Sequence, residues 1–323
     1  MYSTNETELN TMNTEAVKLK APIKDYIWGG RRLIEEFGKE TDAEKAAESW
    51  ELSTHPAGES TVITGSMSGM KLSEYIDANG MECLGANAEK FSFFPVLIKL
   101  IDTKNDLSIQ VHPDDDYAMR VEGEYGKTEM WYIVDCDEGA YLYYGLDREV
   151  TKEEFARRIK DNTLLEILNK VYIKKGDVFF IPSGTIHAIC RDTLICEVQQ
   201  NSNTTYRVYD YDRRGKDGKP RELHIAKAID VSRLSPSPAQ PKANGNVLAS
   251  CKYFTVEKLV CGGECKAELG TDSFRSLVIT DGSGTLTLGA QTMEIKKGDS
   301  VFIPAQSGAA IIKGRLETIL TRV

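Results

Sequence analysis

Histidine is scarce in this chain: four residues in 323, namely His55, His112, His187 and His224. Any site built on imidazole must draw on those four. Long apolar runs are missing as well. The longest candidate, Phe93 to Ile101, is short and contains Pro95 and Lys99, which excludes a bilayer-spanning helix there. The seven cysteines are an odd number with no C-x-x-C pair, so a disulfide framework is not indicated. They read as reduced thiols, several of them in apolar, strand-like runs. Positive charge is also in deficit: the net charge is −9, which argues against a general binder of nucleic acid or anionic membrane. The first sixteen residues have neither a basic n-region nor an apolar h-region; they read as a disordered leader, and the expected location is the cytoplasm.

What is present is a strand-rich soluble chain. From Leu107 onward, segments rich in β-branched and aromatic residues follow one another, as in Leu107–Val111, Met130–Val134 and Ala140–Tyr144. A helical insertion near 151–170 interrupts them. Thr151 and Glu154 form a capping box, which predicts one helix over 151–160 and a shorter one over 163–170. A further helix is expected over 223–229. The stretch Ser235-Pro236-Ser237-Pro238 reads as a linker. The expected division is a leader over 1–16, a catalytic domain over 17–234, a linker over 235–246 and a second β module over 247–323.

The nonapeptide Lys174–Pro182 (KKGDVFFIP) recurs as Lys296–Pro304 (KKGDSVFIP), identical at seven of nine positions. A Lys-Gly-Asp turn, a buried strand and a terminating proline form one physical unit, so two related β modules are expected.

Three further patterns carry chemistry. In Ser108-Ile109-Gln110-Val111-His112, strand alternation puts Ser108, Gln110 and His112 on one face. That face lines a cavity or meets solvent. In Lys127-Thr128-Glu129, Lys127 and Glu129 share a face; a surface ion pair is the competing reading. In Pro182-Ser183-Gly184-Thr185-Ile186-His187, a tight turn aims a histidine that reads equally as a core residue. Taken together, Gln110, His112, Glu129 and His187 offer two imidazoles, a carboxylate and an amide oxygen, a donor set for a borderline divalent ion such as zinc.

The run QVHPD, GKTEMWY and PSGTIHAI, with Asn201 to Arg207 behind it, resembles the class I mannose-6-phosphate isomerases of the cupin superfamily, in their short bacterial form. The likeness starts at Tyr26-Ile27-Trp28-Gly29-Gly30 and spans nearly the whole chain. It implies a mainly β fold of two cupin-type jelly-roll barrels with a few short helices inserted. It implies metal ligands at Gln110, His112, Glu129 and His187, holding one Zn2+, with Mn2+ or Co2+ as alternatives. Arg207 falls on a catalytic arginine, Arg213 on a phosphate-contacting lysine and Ser108 on a serine near the phosphate. Trp28 and Trp50 lie in segments near the sugar. The second module has no histidine, so no metal is expected there.

The activity so implied is interconversion of mannose 6-phosphate and fructose 6-phosphate through a cis-enediol. It needs an electrophile, a proton-transfer group and a grip on the phosphate. Lys127 is the candidate proton-transfer group, and equally a surface lysine beside a carboxylate. The basic residues of 207–221 suit an anionic substrate. The partners expected are a small sugar phosphate and, for quaternary state, none or one further copy. Two alternatives stay open: a non-catalytic metal-binding cupin that binds sugar, and an isomerase of another sugar phosphate. An iron-dependent dioxygenase is disfavoured by Gln110 in place of a histidine.

Overall fold

The computed structural model describes residues 14–215, 218–237, 239–240, 244–267 and 270–323. Residues 1–13 of the expected leader, Lys216 and Asp217 of the basic stretch, and 238 and 241–243 of the expected linker lie outside the described residues. Ala16 is buried, its backbone bonded in both directions to the side-chain amide of Gln291.

Three antiparallel sheets stack on one another. A five-stranded sheet runs in the order Tyr206–Tyr209, Ile109–Val111, His187–Ile189, Tyr141–Leu146, Leu168–Tyr172. A six-stranded sheet runs Val178–Ile181, Glu129–Cys136, Thr193–Gln200, Val96–Thr103, Glu48–Leu52, Ile23–Lys24. The eight-stranded sheet is built mainly from residues beyond 246, but Val17–Lys20 and Thr61–Val62 complete one side of it. Val17–Lys20 pairs with Ser300–Ile303, so the start of the described chain is sewn into its last sheet.

The six-stranded sheet is buried on both faces, which is why its strands read as continuous apolar runs. Alternation sorts their side chains. Met130, Tyr132, Val134, Ile98, Leu100, Cys196 and Val198 face Phe254, Phe274, Phe302 and Ile319 of the eight-stranded sheet. Trp131, Ile133, Ile101 and Ile195 face the five-stranded sheet, meeting Leu142, Tyr144 and Ile189. The polar residues at odd positions of the same strands, Glu129, Lys99 and Glu197, fall on this second face.

The repeat is structural. In both copies a glycine with φ near 90° turns the chain, at Gly176 and Gly298. In both, the aspartate that follows accepts the backbone N–H of the first lysine at 2.9 Å, Asp177 from Lys174 and Asp299 from Lys296.

The capped helix forms as Lys152–Lys160, with the Thr151 hydroxyl accepting from the Glu154 N–H. The helix expected over 163–170 does not. Leu164–Ile167 makes one 3-10 turn, and Leu168–Tyr172 is a strand because it pairs with Tyr141–Leu146. The helix expected over 223–229 lies at Ile225–Val231. The reduced-thiol reading fails at one pair: Cys261 and Cys265 form a disulfide across Gly262-Gly263. The other five cysteines are free. No helix among the described residues is long and apolar enough to cross a membrane.

Candidate metal centre and substrate cavity

The site lies between the five- and six-stranded sheets. Three neighbouring strands bring Arg207, Gln110 and His187 side by side, since Gln110 is in register with both others. His112 follows one residue beyond its strand. Glu129 enters from the opposite sheet as the first residue of its own strand. Trp131, two residues along the same face, sets its ring edge-on against His187, with ring centroids 5.3 Å apart.

The backbone fixes both imidazoles. His112 Nδ1 lies 2.9 Å from the Thr204 carbonyl, and His187 Nδ1 lies 2.8 Å from the Thr185 carbonyl. A carbonyl only accepts, so each Nδ1 carries the proton and each Nε2 keeps its lone pair. Those lone pairs converge on the Glu129 carboxylate, at 3.7 Å from His112 and 3.2 Å from His187. Gln110 Nε2 stands 3.4 Å from His187 Nε2, and turning the amide over presents its oxygen instead.

One donor atom from each of His112, Glu129 and His187 lies within 4.8 Å of the others, and all three residues are buried. Nε2 of His112 and Oε1 of Glu129 lack any hydrogen bond, while Oε2 of Glu129 faces the Lys127 ammonium. Buried acceptors left unpaired are costly, and here they face one another. A divalent cation satisfies all of them at once, so the residues fit a metal. The protonation states agree. Burial pushes the His187 pKa down to about 4 and that of His112 well below the usual range, so both rings are neutral donors. Burial also raises Glu129 to about 7, a cost that an adjacent cation removes.

Charge runs in a buried line from this cluster. Lys127 Nζ lies 3.0 Å from Glu129 and 3.8 Å from Glu197. Lys99 Nζ lies 3.1 Å from Glu197 and 3.9 Å from Glu48. Trp131 Nε1 donates to Glu197 and Trp50 Nε1 to Glu48. Burial opposes the charge on Lys99, but Glu48 and Glu197 outweigh it and its pKa rises. Burial likewise opposes the charge on Glu197, and Lys127 and Lys99 outweigh it in the other direction. Lys127 is buried, so the surface-lysine reading does not hold.

This line borders a cavity of about 220 Å³ whose walls include Trp28, Ser108, Gln110, Lys127 and Arg207. Five expected residues thus share one space, with the expected ligands His112, Glu129 and His187 packed behind Gln110 and Lys127. Arg213 is not in the wall. Its guanidinium is turned to Asp210 and to the Asp106 carbonyl. Arg221 is in the wall, held by two bonds to the same Asp210. Nε of Arg207 is buried without a partner, while Nη1 donates to the Glu222 carbonyl. Trp50 lies outside the wall, with Lys24 and Lys99 over its ring. A larger cavity of about 430 Å³ is mostly apolar, lined by Phe91, Phe93, Phe94 and Leu84, with His55, Asp77, Glu124 and Asn201 also in its wall.

Sequence reasoning assigned no role to Lys99, Glu197 or Glu48, and took Arg221 only as one of the basic residues of 207–221. A signal existed for the first two: each is a lone charge inside an apolar strand, VLIKLIDT and TLICEVQQ.

Comparison with known proteins agrees with this geometry. Residues 16–139 match the phosphomannose isomerase type I catalytic domain, and residues 244–323 match the mannose-6-phosphate isomerase cupin domain. A mannose-6-phosphate isomerase of Streptococcus mutans is 39% identical over 94% of this chain and 97% of its own. One from Bacillus subtilis is 36% identical, covering 97% of this chain and all of the relative. The chain belongs to the type I mannose-6-phosphate isomerase family. The crystal structure of the mannose 6-phosphate isomerase from Bacillus subtilis superposes with a TM-score of 0.87 at 38% identity, covering 95% of this chain and 99% of that one. A more distant mannose 6-phosphate isomerase, solved bound with zinc and yttrium, shares the fold with a TM-score of 0.75 at 17% identity. The expected fold, mainly β with cupin-type modules and few short helices, is therefore the observed one.

Proposed function

We propose that this chain interconverts mannose 6-phosphate and fructose 6-phosphate, and that His112, His187, Glu129 and Gln110 hold one zinc ion for the purpose. The observation that carries it is the convergence of unpaired, buried acceptors of His112 and Glu129 beside a cavity walled by Lys127 and Arg207. Two imidazoles with oxygen donors favour a borderline ion, and zinc is one of the two metals bound in the distant structural neighbour; manganese and cobalt suit the same donors. The bound ion supplies a Lewis acid for substrate oxygens.

The protein's own groups do the rest. Isomerisation moves a proton between C1 and C2 and develops negative charge on the enediol oxygens. Arg207 is permanently cationic and half-buried, and its unpaired Nε offers a donor to that charge at little cost in reorganisation. Lys127 stands at the wall beside two carboxylates, Glu129 and Glu197, and is the group we assign to exchange protons with the substrate. Lys99 keeps Glu197 charged and oriented. Arg221, steadied by Asp210, takes the phosphate, with Ser108 across the cavity; Arg213 braces Asp210 from the other side. Trp28 closes the wall beside Tyr26.

The same reading makes 17–234 the catalytic part and 247–323 a module kept for packing, places the protein in the cytoplasm, and takes it as a monomer or homodimer. The deciding experiment measures turnover of mannose 6-phosphate as purified, after chelation, and after zinc is returned. Zinc-restored turnover supports the proposal. Zinc bound without turnover under any metal would replace it with a non-catalytic sugar-binding cupin.

A further inference from the structure

Glu124 takes no part in the chemistry proposed above, yet it grips the loop on which that chemistry depends. It sits between the helix Asp115–Val121 and the strand Glu129–Cys136, on the same connection as Lys127. Its Oε2 accepts from three consecutive residues: the Ser202 hydroxyl at 3.5 Å, the Asn203 backbone N–H at 3.3 Å and the Thr204 hydroxyl at 3.2 Å. Its Oε1 faces His55 Nε2 at 3.5 Å, whose pKa burial lowers.

The gripped loop serves the site twice. The Thr204 carbonyl accepts a hydrogen bond from His112 Nδ1–H, and so decides which ring nitrogen of that residue stays free. Asn203 and Thr205 are part of the cavity wall. Residues 201–205 belong to no strand, so sheet pairing does not fix them. Their other ties come from Gln199, which donates to the Ser202 carbonyl, from the Ser202 N–H, which donates to the Gln200 carbonyl, from the Ser202 hydroxyl, which accepts the Thr204 N–H, and from Asn201 to Pro95 and Thr54. None of these bonds reaches Asn203. Glu122 adds a parallel tie one step along, accepting from the Tyr206 hydroxyl at 2.8 Å.

We infer that Glu124 is a positioning residue that holds the Thr204 carbonyl on His112 and thereby sets the affinity and geometry of the metal site. The inference rests on the metal reading above but not on the substrate.

The test uses the full-length chain and three variants, Glu124→Ala, Glu124→Gln and Thr204→Val. Zinc affinity is measured by competition with a chromophoric chelator, ligand geometry by the visible spectrum of the cobalt-substituted protein, and kcat and KM separately. Loss of the partner that orients a metal-binding histidine weakens metal affinity about 10- to 100-fold, and that is the expectation for Glu124→Ala, with shifted cobalt bands. Glu124→Gln retains an acceptor oxygen and should stay within about threefold of the parent, because hydrogen bonding rather than charge does the positioning. Thr204→Val, losing one of three bonds, should fall between them. Parent-like zinc affinity and an unchanged cobalt spectrum in Glu124→Ala overturn the inference. So does a Glu124→Gln variant as weak as Glu124→Ala. If Glu124→Ala fails to fold, the other two variants decide alone: parent-like affinity in Thr204→Val overturns the inference. A parent protein that binds zinc but does not turn over mannose 6-phosphate removes the substrate reading and leaves the zinc comparison intact.

Discussion

Arg213 and Arg221 lean on one carboxylate, Asp210, and differ in where their guanidinium groups stand. Burial works against the charge of Asp210, but its bonds to Arg221 and Arg213 outweigh that and lower its pKa. Arg221 borders the cavity, so Arg221→Ala should raise KM for mannose 6-phosphate by about 10- to 100-fold with a smaller change in kcat, the loss expected for one charge-assisted contact to phosphate. Arg213→Ala acts only through Asp210 and should raise KM less; steady-state kinetics on the pair would show it, and a larger effect at Arg213 would reverse the assignment. Glu197 makes a second case. Glu197→Gln leaves Lys99 and Lys127 short of a countercharge in a buried place, so urea denaturation should show a loss of about 3–5 kcal/mol. At this scale the four residues proposed as metal donors could be picked out because each sits in a short motif with fixed spacing. Arg221 was legible only as one of the basic residues of 207–221, because nothing in that stretch says which cation the chain folds back onto the cavity.

The two copies of the Lys-Gly-Asp turn test how far a repeated sequence implies a repeated environment. Both glycines hold φ near 90°, which strains any side chain. A Cβ on Gly176 would meet nothing within 4 Å, whereas a Cβ on Gly298 would lie 2.0 Å from the Phe37 carbonyl oxygen. Gly176→Ala should therefore cost about 1–2 kcal/mol, from backbone strain alone. Gly298→Ala should cost more, because the backbone at Phe37 must move; thermal melts of the two variants, side by side, would separate them. A different element carries a pH signal. Asp102, in the strand Val96–Thr103, accepts the backbone N–H of Arg32 at the start of the helix Arg32–Glu35, and burial raises its pKa to about 6. The folded state then binds a proton that the unfolded state has released, so this group's contribution is present below pH 4 and is lost as pH rises through about 6. The loss is at most about 3 kcal/mol, for a shift of roughly two pH units. In Asp102→Asn the fall in stability between pH 4 and pH 7 should shrink; an unchanged fall would contradict the shift. The elements legible in advance were those with local signals, such as the Thr151 cap and the repeated turn. The segment 163–170 was not, since its helical look is overridden by pairing of Leu168–Tyr172 with a neighbouring strand.

Pairing of Val17–Lys20 with Ser300–Ile303 joins residues nearly three hundred positions apart, a link with no local trace in the sequence. It ties the start of the described chain to the histidine-free module, and it bears on what metal removal should do. The four apolar cores among the described residues are built without any donor from the metal cluster: one lies between the six- and eight-stranded sheets, and another contains Trp131 and Leu142. Chelation should therefore leave the strand content unchanged by far-ultraviolet circular dichroism. It should still lower the melting temperature, because an ion that binds only the folded state contributes RT ln(1 + [L]/Kd), about 4 kcal/mol when free zinc exceeds Kd a thousandfold. For a chain of this size that is a shift of about 6 °C. Removing zinc also returns Glu129 to a buried place with Lys127 as its main countercharge, so between pH 6 and pH 8 the metal-free parent should lose stability relative to a metal-free Glu129→Gln variant, in which His112 and His187 still titrate but the carboxyl does not. A metal-free protein that melted with the holoprotein at both pH values would mean that the cluster of His112, Glu129 and His187 is satisfied without a cation.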